Sequence, residues 1–252
     1  MKLSAVIIAF NEEDKIADAI RSVSWADEVV VVDSESTDRT REIAAELRSK
    51  IVVNPWPGFS QQKQLGVDLA ENDWILSVDA DERISDELKT EILHLKEGGD
   101  GYRIPRLTLY MGRPIRHGGW YPDRQLRLFD RRKGRWNGRL VHESVAMDSG
   151  SVVEELRGDI LHFSIDGPEH HHRMIGERYA PLAARHMLES GRRTTKFGVT
   201  MAAPIAFLRT YFVRLGFLDG FPGFCIARFA AHHAFLKYAL LLELQNGKSE
   251  EK

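Results

Sequence analysis

Short apolar runs alternate with amphipathic stretches through the first third of the chain. Leu3 to Phe10 is a continuous apolar run, as expected of a strand covered on both faces. Asn11-Glu12-Glu13 ends it, and Ile16, Ala19, Ile20 and Val23 then recur at helical spacing within Asp14 to Val23. Glu28 to Val32 reads as a second strand ending at Asp33, and Ser36-Thr37-Asp38 offers capping oxygens for a helix to about Arg48. Ile51 to Val53 is a third short strand, and the loop Asn54 to Gly58 leads to a helix near Ser60 to Ala70. Trp74 to Val78 is a fourth strand, and Ser85-Asp86-Glu87 caps a helix to about Lys96. This β-α-β-α order implies a parallel sheet with helices on both faces, and such sheets bind ligands at the carboxyl ends of their strands. Phe10, Asp33, Val53 and Asp79 fall at those ends, so Asn11, Asp33, Asp79 and Asp81 are expected to converge.

From Tyr102 the pattern changes. Arg103 to Tyr110 and Gln125 to Phe129 read as shorter strands, separated by a loop, Met111 to Arg124, rich in Gly, Pro and aromatic residues. A loop of this kind is either a sugar-binding surface or a cover over the sheet edge. Trp136 to Val145 contains Val141-His142-Glu143, and Asp159 to Phe163 is a strand holding His162. Asp166-Gly167-Pro168-Glu169 opens a helix through about Leu188. His170, His171 and His172 are adjacent on it, point in different directions and make a poor chelate. Pro204 to Leu218 and Phe224 to Leu244 are helical and strongly apolar, the second with Arg228, His232, His233 and Lys237 as one polar stripe. No window reaches the ~20 uninterrupted apolar residues of a membrane span. The expectation is a helix lying in a membrane surface, with Arg209, Arg214, Arg228 and Lys237 as cationic anchors; a core helix or a dimer interface is the alternative.

The candidate chemistry lies at the end of the fourth strand. Asp79 and Asp81 stand two apart, so both carboxylates point to one side of the strand tip and repel unless a cation lies between them. Hard oxygens of this kind suit Mg2+ or Mn2+; a solvated turn is the plainer reading. Arg124, Arg127 and Arg139 are available to a diphosphate or an anionic acceptor, or are simply solvated. Composition adds little to this. The 252 residues carry 35 Lys and Arg against 37 Asp and Glu, which gives no argument for nucleic-acid binding. The single cysteine, Cys225, excludes an intrachain disulfide and fits a reducing compartment. The N-terminus enters a strand directly without the cleavage site of a signal peptide, so a cytoplasmic location is expected.

Three stretches taken together resemble a known family: Val6-Ile7-Ile8-Ala9-Phe10-Asn11-Glu12, Val31-Val32-Asp33-Ser34-Glu35-Ser36-Thr37-Asp38-Arg39-Thr40 and Asp79-Ala80-Asp81-Glu82. They resemble the family 2 inverting glycosyltransferases of GT-A fold. Leu126-Arg127-Leu128-Phe129, Val141-His142-Glu143 and Leu215-Gly216-Phe217-Leu218-Asp219-Gly220 resemble, more narrowly, the lipopolysaccharide core glucosyltransferases. The resemblance implies an α/β protein: a GT-A (Rossmann-like) mixed sheet flanked by helices over residues 1–165, and a helical, membrane-associating or dimerising extension over 166–252. It implies a UDP-sugar donor, held by Phe10, Asn11, Glu12, Asp33, Lys63, Asp79, Ala80, Asp81 and Arg127, and a divalent cation, Mg2+ or Mn2+, on Asp79 and Asp81. His142 or His162 is a candidate further ligand. The acceptor implied is a lipid-linked saccharide, the inner-core heptose of lipopolysaccharide, reached from the inner face of the cytoplasmic membrane; another lipid-linked sugar or a peptide is the alternative. A homo-oligomer is open. Two departures stand out. Glu35 replaces a frequent Gly, which should alter the loop backbone. The usual Glu-Asp base motif is absent, which leaves Glu143, ahead of Asp123, as the expected catalytic base. A sugar-phosphate nucleotidyltransferase would carry a Gly-rich loop where Asn11-Glu12-Glu13 stands, and a non-catalytic nucleotide-sugar-binding module is the remaining alternative.

Overall fold

A computed structural model describes residues 1–95, 98–139 and 143–250. The chain forms two compact units, Met1–Leu107 with Asp123–His162, and Thr108–Pro122 with Phe163–Lys252. The sequence put 108–122 in the first domain; the structure groups it with the C-terminal helices, because Tyr110, Ile115 and Trp120 pack with Ile226 and Phe229.

In the first unit the expected alternation is present: β1 (Leu3–Ala9), α1 (Ile16–Val23), β2 (Glu28–Asp33), α2 (Thr40–Glu46), β3 (Lys50–Val53), α3 (Phe59–Leu69), β4 (Trp74–Asp79), β5 (Glu82–Ile84) and α4 (Asp86–Leu93). The strands β3-β2-β1-β4 are parallel. Every residue of β1 is buried, as a central parallel strand requires. Its side chains alternate between two cores. Leu3, Ala5, Ile7 and Ala9 meet Ile16, Ala19, Ile20 and Val23 of α1, while Val6 and Ile8 face the cluster of Val67. Gly66 lets α3 approach the sheet, since a Cβ there would lie 2.3 Å from a methyl of Val6.

The sheet becomes mixed after β4. It continues with β6 (Gly101–Tyr110), followed in chain order by β7 (Arg113–Pro114), which belongs to the second unit, and β8 (Asp123–Asp130). Within the sheet β8 lies between β4 and β6 and runs antiparallel to both. Both strands are longer than the sequence pattern suggested. A separate hairpin follows, β9 (Gly134–Trp136) with β10 (Val145–Met147). Then β11 (Val153–Glu155) adds to β6, and β12 (Ile160–His162) pairs antiparallel with β5, setting His162 opposite Glu82.

The second unit is helical. The helix expected from Asp166 is broken into α5 (Pro168–Arg173), a wide π-turn (Met174–Tyr179) and α6 (Ala180–Glu189); Pro181 has no N–H to continue the ordinary ladder. Next come α7 (Lys196–Leu208), extended by a π-turn to Val213, a 3-10 turn (Gly216–Asp219) and α8 (Gly220–Glu250). Thr195 caps α7, its hydroxyl accepting from the Gly198 N–H. Asp219 accepts hydrogen bonds from the backbone N–H groups of Arg116 and His117 and pairs with the His117 ring at 2.8 Å, fastening the Gly-rich loop.

The polar stripe expected on α8 is not an outward basic face. His232 stacks on His172, and the ring nitrogens Nε2 of His232 and His233 are buried. The exposed apolar surface lies mainly on α7 and the turns after it, Phe197, Ile205, Leu208, Phe212, Val213 and Leu218, and reaches Phe221 at the start of α8. No residue of α7 is buried. Among the described residues no single helix is long and apolar enough to cross a membrane; the pair 196–213 and 216–247, bent by 71°, reaches that length and composition only together.

Candidate functional site

The parallel register fixes where the acidic residues end. Ala9 lies opposite Asp33 on one side of β1, and Ile8 lies opposite Asp79 on the other. Two clefts open at this edge of the first unit, and Asp79 lines both. One, of about 500 Å3, is lined by Phe10, Glu12, Trp56, Phe59, Asp79, Ala80, Asp81 and His162. Trp56 and Phe59 meet edge to face at 4.6 Å, and both are exposed, as is Phe10. Flat aromatic faces beside an acidic tip suit a base or a sugar ring. The other cleft, of about 480 Å3, is lined by Lys63, Asp79, Arg106, Arg127, Trp136, Arg139 and Glu143 among others.

The strand tips are joined by a chain of ion pairs. The Lys63 ammonium lies 2.9 Å from Asp79 Oδ1, and it donates a 3.3 Å hydrogen bond to Oδ2. Arg127 Nη2 donates to Asp79 Oδ2 at 2.9 Å and to Glu82 Oε1 at 3.1 Å. Glu82, fully buried, also accepts from the Asp79 N–H and from Arg106. Arg106 in turn grips Asp123 Oδ2 through Nε and Nη2, and Gln125 donates to Asp123 Oδ1. Burial pushes the Asp79 carboxyl up, but Arg127 and Lys63 outweigh it and hold the group far below the usual carboxylate range. The same partners outweigh burial at Arg127 and raise it further. Asp79 is therefore a fixed anion with both oxygens engaged by cations.

This bears on the expected cation site. Among the described residues no three His, Cys, Asp or Glu side chains form a metal cage. Asp79 does not fit as an open ligand, because Lys63 and Arg127 already hold it. Asp81 does fit: its Oδ2 lies 3.4 Å from Nε2 of His162, and both residues line the first cleft. The Asp81 carboxylate is a hard donor suited to Mn2+ or Mg2+ when a nucleotide supplies further oxygens, whereas the His162 imidazole is a softer donor that suits Mn2+ better than Mg2+. His142 lies outside the described residues.

Asn11 and Asp33 brace a loop. Asp33 is wholly buried and its two carboxylate oxygens accept from the N–H and hydroxyl of Ser36. Asn11 accepts from the Thr37 N–H and donates its own N–H to Ser36. Neither lines the clefts, so the convergence expected of four acidic or amide tips is met in the cleft by Asp79 and Asp81 alone. Glu35 adopts φ +61°, the left-handed conformation a Gly would take at ease. Of the two candidate bases, Asp123 has three donors on it, whereas Glu143 makes no ion pair among the described residues and lines the second cleft. Sequence reasoning missed Glu82, Arg106, Trp56, Phe59 and Trp136 as site residues. Glu82 directly follows the acidic motif and was visible; the others had no local signal.

An α/β protein with a charged, two-lobed cleft at the carboxyl ends of its parallel strands is organised as a ligand-binding enzyme. Residues 4–144 match the model of the family described as glycosyl transferase family 2. An uncharacterised glycosyltransferase of Rickettsia typhi is 33% identical over 96% of this chain and 87% of its own length. The lipopolysaccharide core biosynthesis glycosyltransferase LpsC of Rhizobium meliloti is 32% identical over 96% of this chain and 93% of its own. The chain belongs to glycosyltransferase family 2, and it is a glycosyltransferase. The glucosyl-3-phosphoglycerate synthase of Mycobacterium tuberculosis, solved with Mn2+, UDP and glucosyl-3-phosphoglycerate, matches over 44% of each chain at 25% identity and a TM-score of 0.34, less than half the length of that enzyme.

Proposed function

We propose that the enzyme transfers a hexose from a UDP-sugar to a lipopolysaccharide inner-core saccharide, with inversion and with a divalent cation. The observation that carries this reading is the first cleft, where Asp81 and His162 meet beside the exposed rings of Phe10, Trp56 and Phe59. The rings take the uracil or sugar face, and Asp81 with His162 hold the cation. When bound, that ion neutralises the negative charge on the departing diphosphate. Lys63, Arg127 and Asp79 form a fixed charge array at the junction of the two clefts. Asp79 is too weak a base to take a proton, because its ionised form is so strongly held. Glu143 takes the proton of the acceptor hydroxyl as that oxygen bonds to the anomeric carbon and the bond to the diphosphate oxygen breaks.

The acceptor class draws support from the likeness to LpsC over nearly the whole of both chains. A lipid-anchored acceptor also suits the second unit. It carries 14 basic against 8 acidic residues, while the first unit carries 21 against 29. We assign the apolar face of α7 to the inner surface of the cytoplasmic membrane, where anionic lipid complements that charge. Calorimetry with UDP and Mn2+ tests the donor reading. Asp81→Asn is expected to lose Mn2+-dependent UDP binding while its melting temperature stays near that of the wild type. Equal UDP affinity with and without Mn2+, in both proteins, would remove the cation from the reading.

A further inference from the structure

The second cleft has hydrogen-bond donors that the transfer step leaves without a role. Arg127 is 4% exposed and Trp136 is 6% exposed. Arg127 uses Nη2 for Asp79 and Glu82, but its Nη1 is buried without a hydrogen-bond partner. The indole Nε1 of Trp136 is likewise buried without a partner, its ring lying 4.9 Å beneath the Lys63 ammonium. Arg139 lines the same cleft, exposed and without an ion pair among the described residues. Buried donors without acceptors are uncommon, because each has given up its water. Here two occur on residues that line one cleft, with the exposed Arg139 guanidinium on the same wall.

The acidic residues of that wall do not fill the gap. Asp79 is held by Arg127 and by Lys63, its Oδ1 making an ion pair with the Lys63 ammonium at 2.9 Å but no hydrogen bond. Among the described residues Glu143 is the only other carboxylate lining the cleft, and an indole N–H and a guanidinium have no acceptor capacity of their own. A group with several acceptor oxygens and a negative charge answers all three donors together, whereas a sugar hydroxyl answers one.

We propose that this cleft holds an oxyanion subsite, and that Arg127 Nη1, Trp136 Nε1 and Arg139 receive a phosphate or carboxylate carried by the acceptor saccharide. The enzyme thus selects an anionic acceptor over its neutral counterpart. The assignment of the oxyanion to the acceptor rests on the reading that Glu143 activates the acceptor hydroxyl in this cleft. The same oxyanion chemistry is available from the diphosphate of the donor, and the test separates the two sources.

Inorganic phosphate is titrated into the full chain by calorimetry in EDTA, with and without saturating UDP. The wild type is expected to bind phosphate equally in both conditions. Trp136→Phe keeps the ring and removes only the N–H, and Arg139→Ala alters an exposed side chain; each is expected to weaken phosphate at least about fivefold, with an unchanged circular dichroism spectrum. In steady state Arg139→Ala is expected to raise the KM for a phosphorylated acceptor by a similar factor while the donor KM stays within about twofold. No phosphate binding by the wild type, or unchanged binding in both variants, overturns the subsite. Displacement of phosphate by UDP, with UDP weakened by Arg139→Ala, assigns the donors to the diphosphate and overturns the acceptor reading. The phosphate titration needs no turnover, so failure of the donor or cation reading would appear separately, as absent UDP binding.

Discussion

The two units bury ionisable side chains in opposite ways. In the first, the chain Lys63–Asp79–Arg127–Glu82–Arg106–Asp123 gives each member a partner of opposite sign. In the second, His171, His232 and His233 are held neutral instead. His171 packs among Tyr110, Trp120 and Phe229. Burial first, and then the neighbouring His170 and His233, lowers it to about 4. His232 and His233 are also lowered, chiefly by burial. Pairing preserves fields and donors that chemistry can use. Neutralisation gives a histidine the role of an apolar ring and makes the fold sensitive to acid.

The largest effect that would break this contrast comes from Arg127→Ala. It leaves Asp79 with Lys63 alone and the buried Glu82 with Arg106 alone, and should cost about 3 kcal/mol in denaturant unfolding. A loss under about 1 kcal/mol would mean that the ion-pair chain does not hold the site together. Next in size is Glu143→Gln, expected to slow transfer by about 10²–10⁴-fold with UDP affinity kept, since removal of the base leaves the charge array intact. Full activity would exclude Glu143 as the base.

Acid titration sharpens the comparison. An unfolded histidine binds a proton near pH 6.5, but folded His171 resists it until about 4, so stability declines as pH falls through that window, by up to about 3 kcal/mol. Asp79 behaves differently. Its folded pKa lies below its unfolded one, so its contribution is complete above about pH 4 and is lost only below it. Melting temperatures between pH 7 and 4 should therefore report the helical unit, and His171→Phe should flatten that limb. An unchanged slope would place the acid sensitivity elsewhere. The smallest effect on stability is expected for Leu208→Glu with Phe212→Glu, both exposed, within about 0.5 kcal/mol. The same pair should abolish flotation with anionic vesicles, whereas Leu182→Glu, equally exposed on α6, should not. If sedimentation instead shows a dimer that the pair dissolves, the face belongs to a second copy.

Much of the first unit was legible from local pattern. The runs of β1, β2 and β4 and the stripe of α1 are nearest-neighbour properties, and they place Asp33 and Asp79 at strand ends without reference to anything distant. The loop from Met111 to Arg124 was legible only as two alternatives. The structure assigns Tyr110, Ile115 and Trp120 to packing, because their partners Ile226 and Phe229 lie about a hundred residues further on. The exposed apolar face was expected on α8 and lies mainly on α7, since periodicity reveals that a helix has an apolar face but not which neighbour covers it.

The sequence by itself determined the parallel half-sheet, the acidic end of its fourth strand and the kinship of the chain, because all three reside in contiguous residues. Only the tertiary structure decided what each charge does. The antiparallel entry of β8 between β4 and β6 brings Arg127 against Asp79, and the pairing of β12 with β5 brings His162 beside Asp81. Those partners are far apart along the chain, and their meeting depends on strand order and register, which long-range hydrogen bonding selects and local hydrophobic rhythm does not encode.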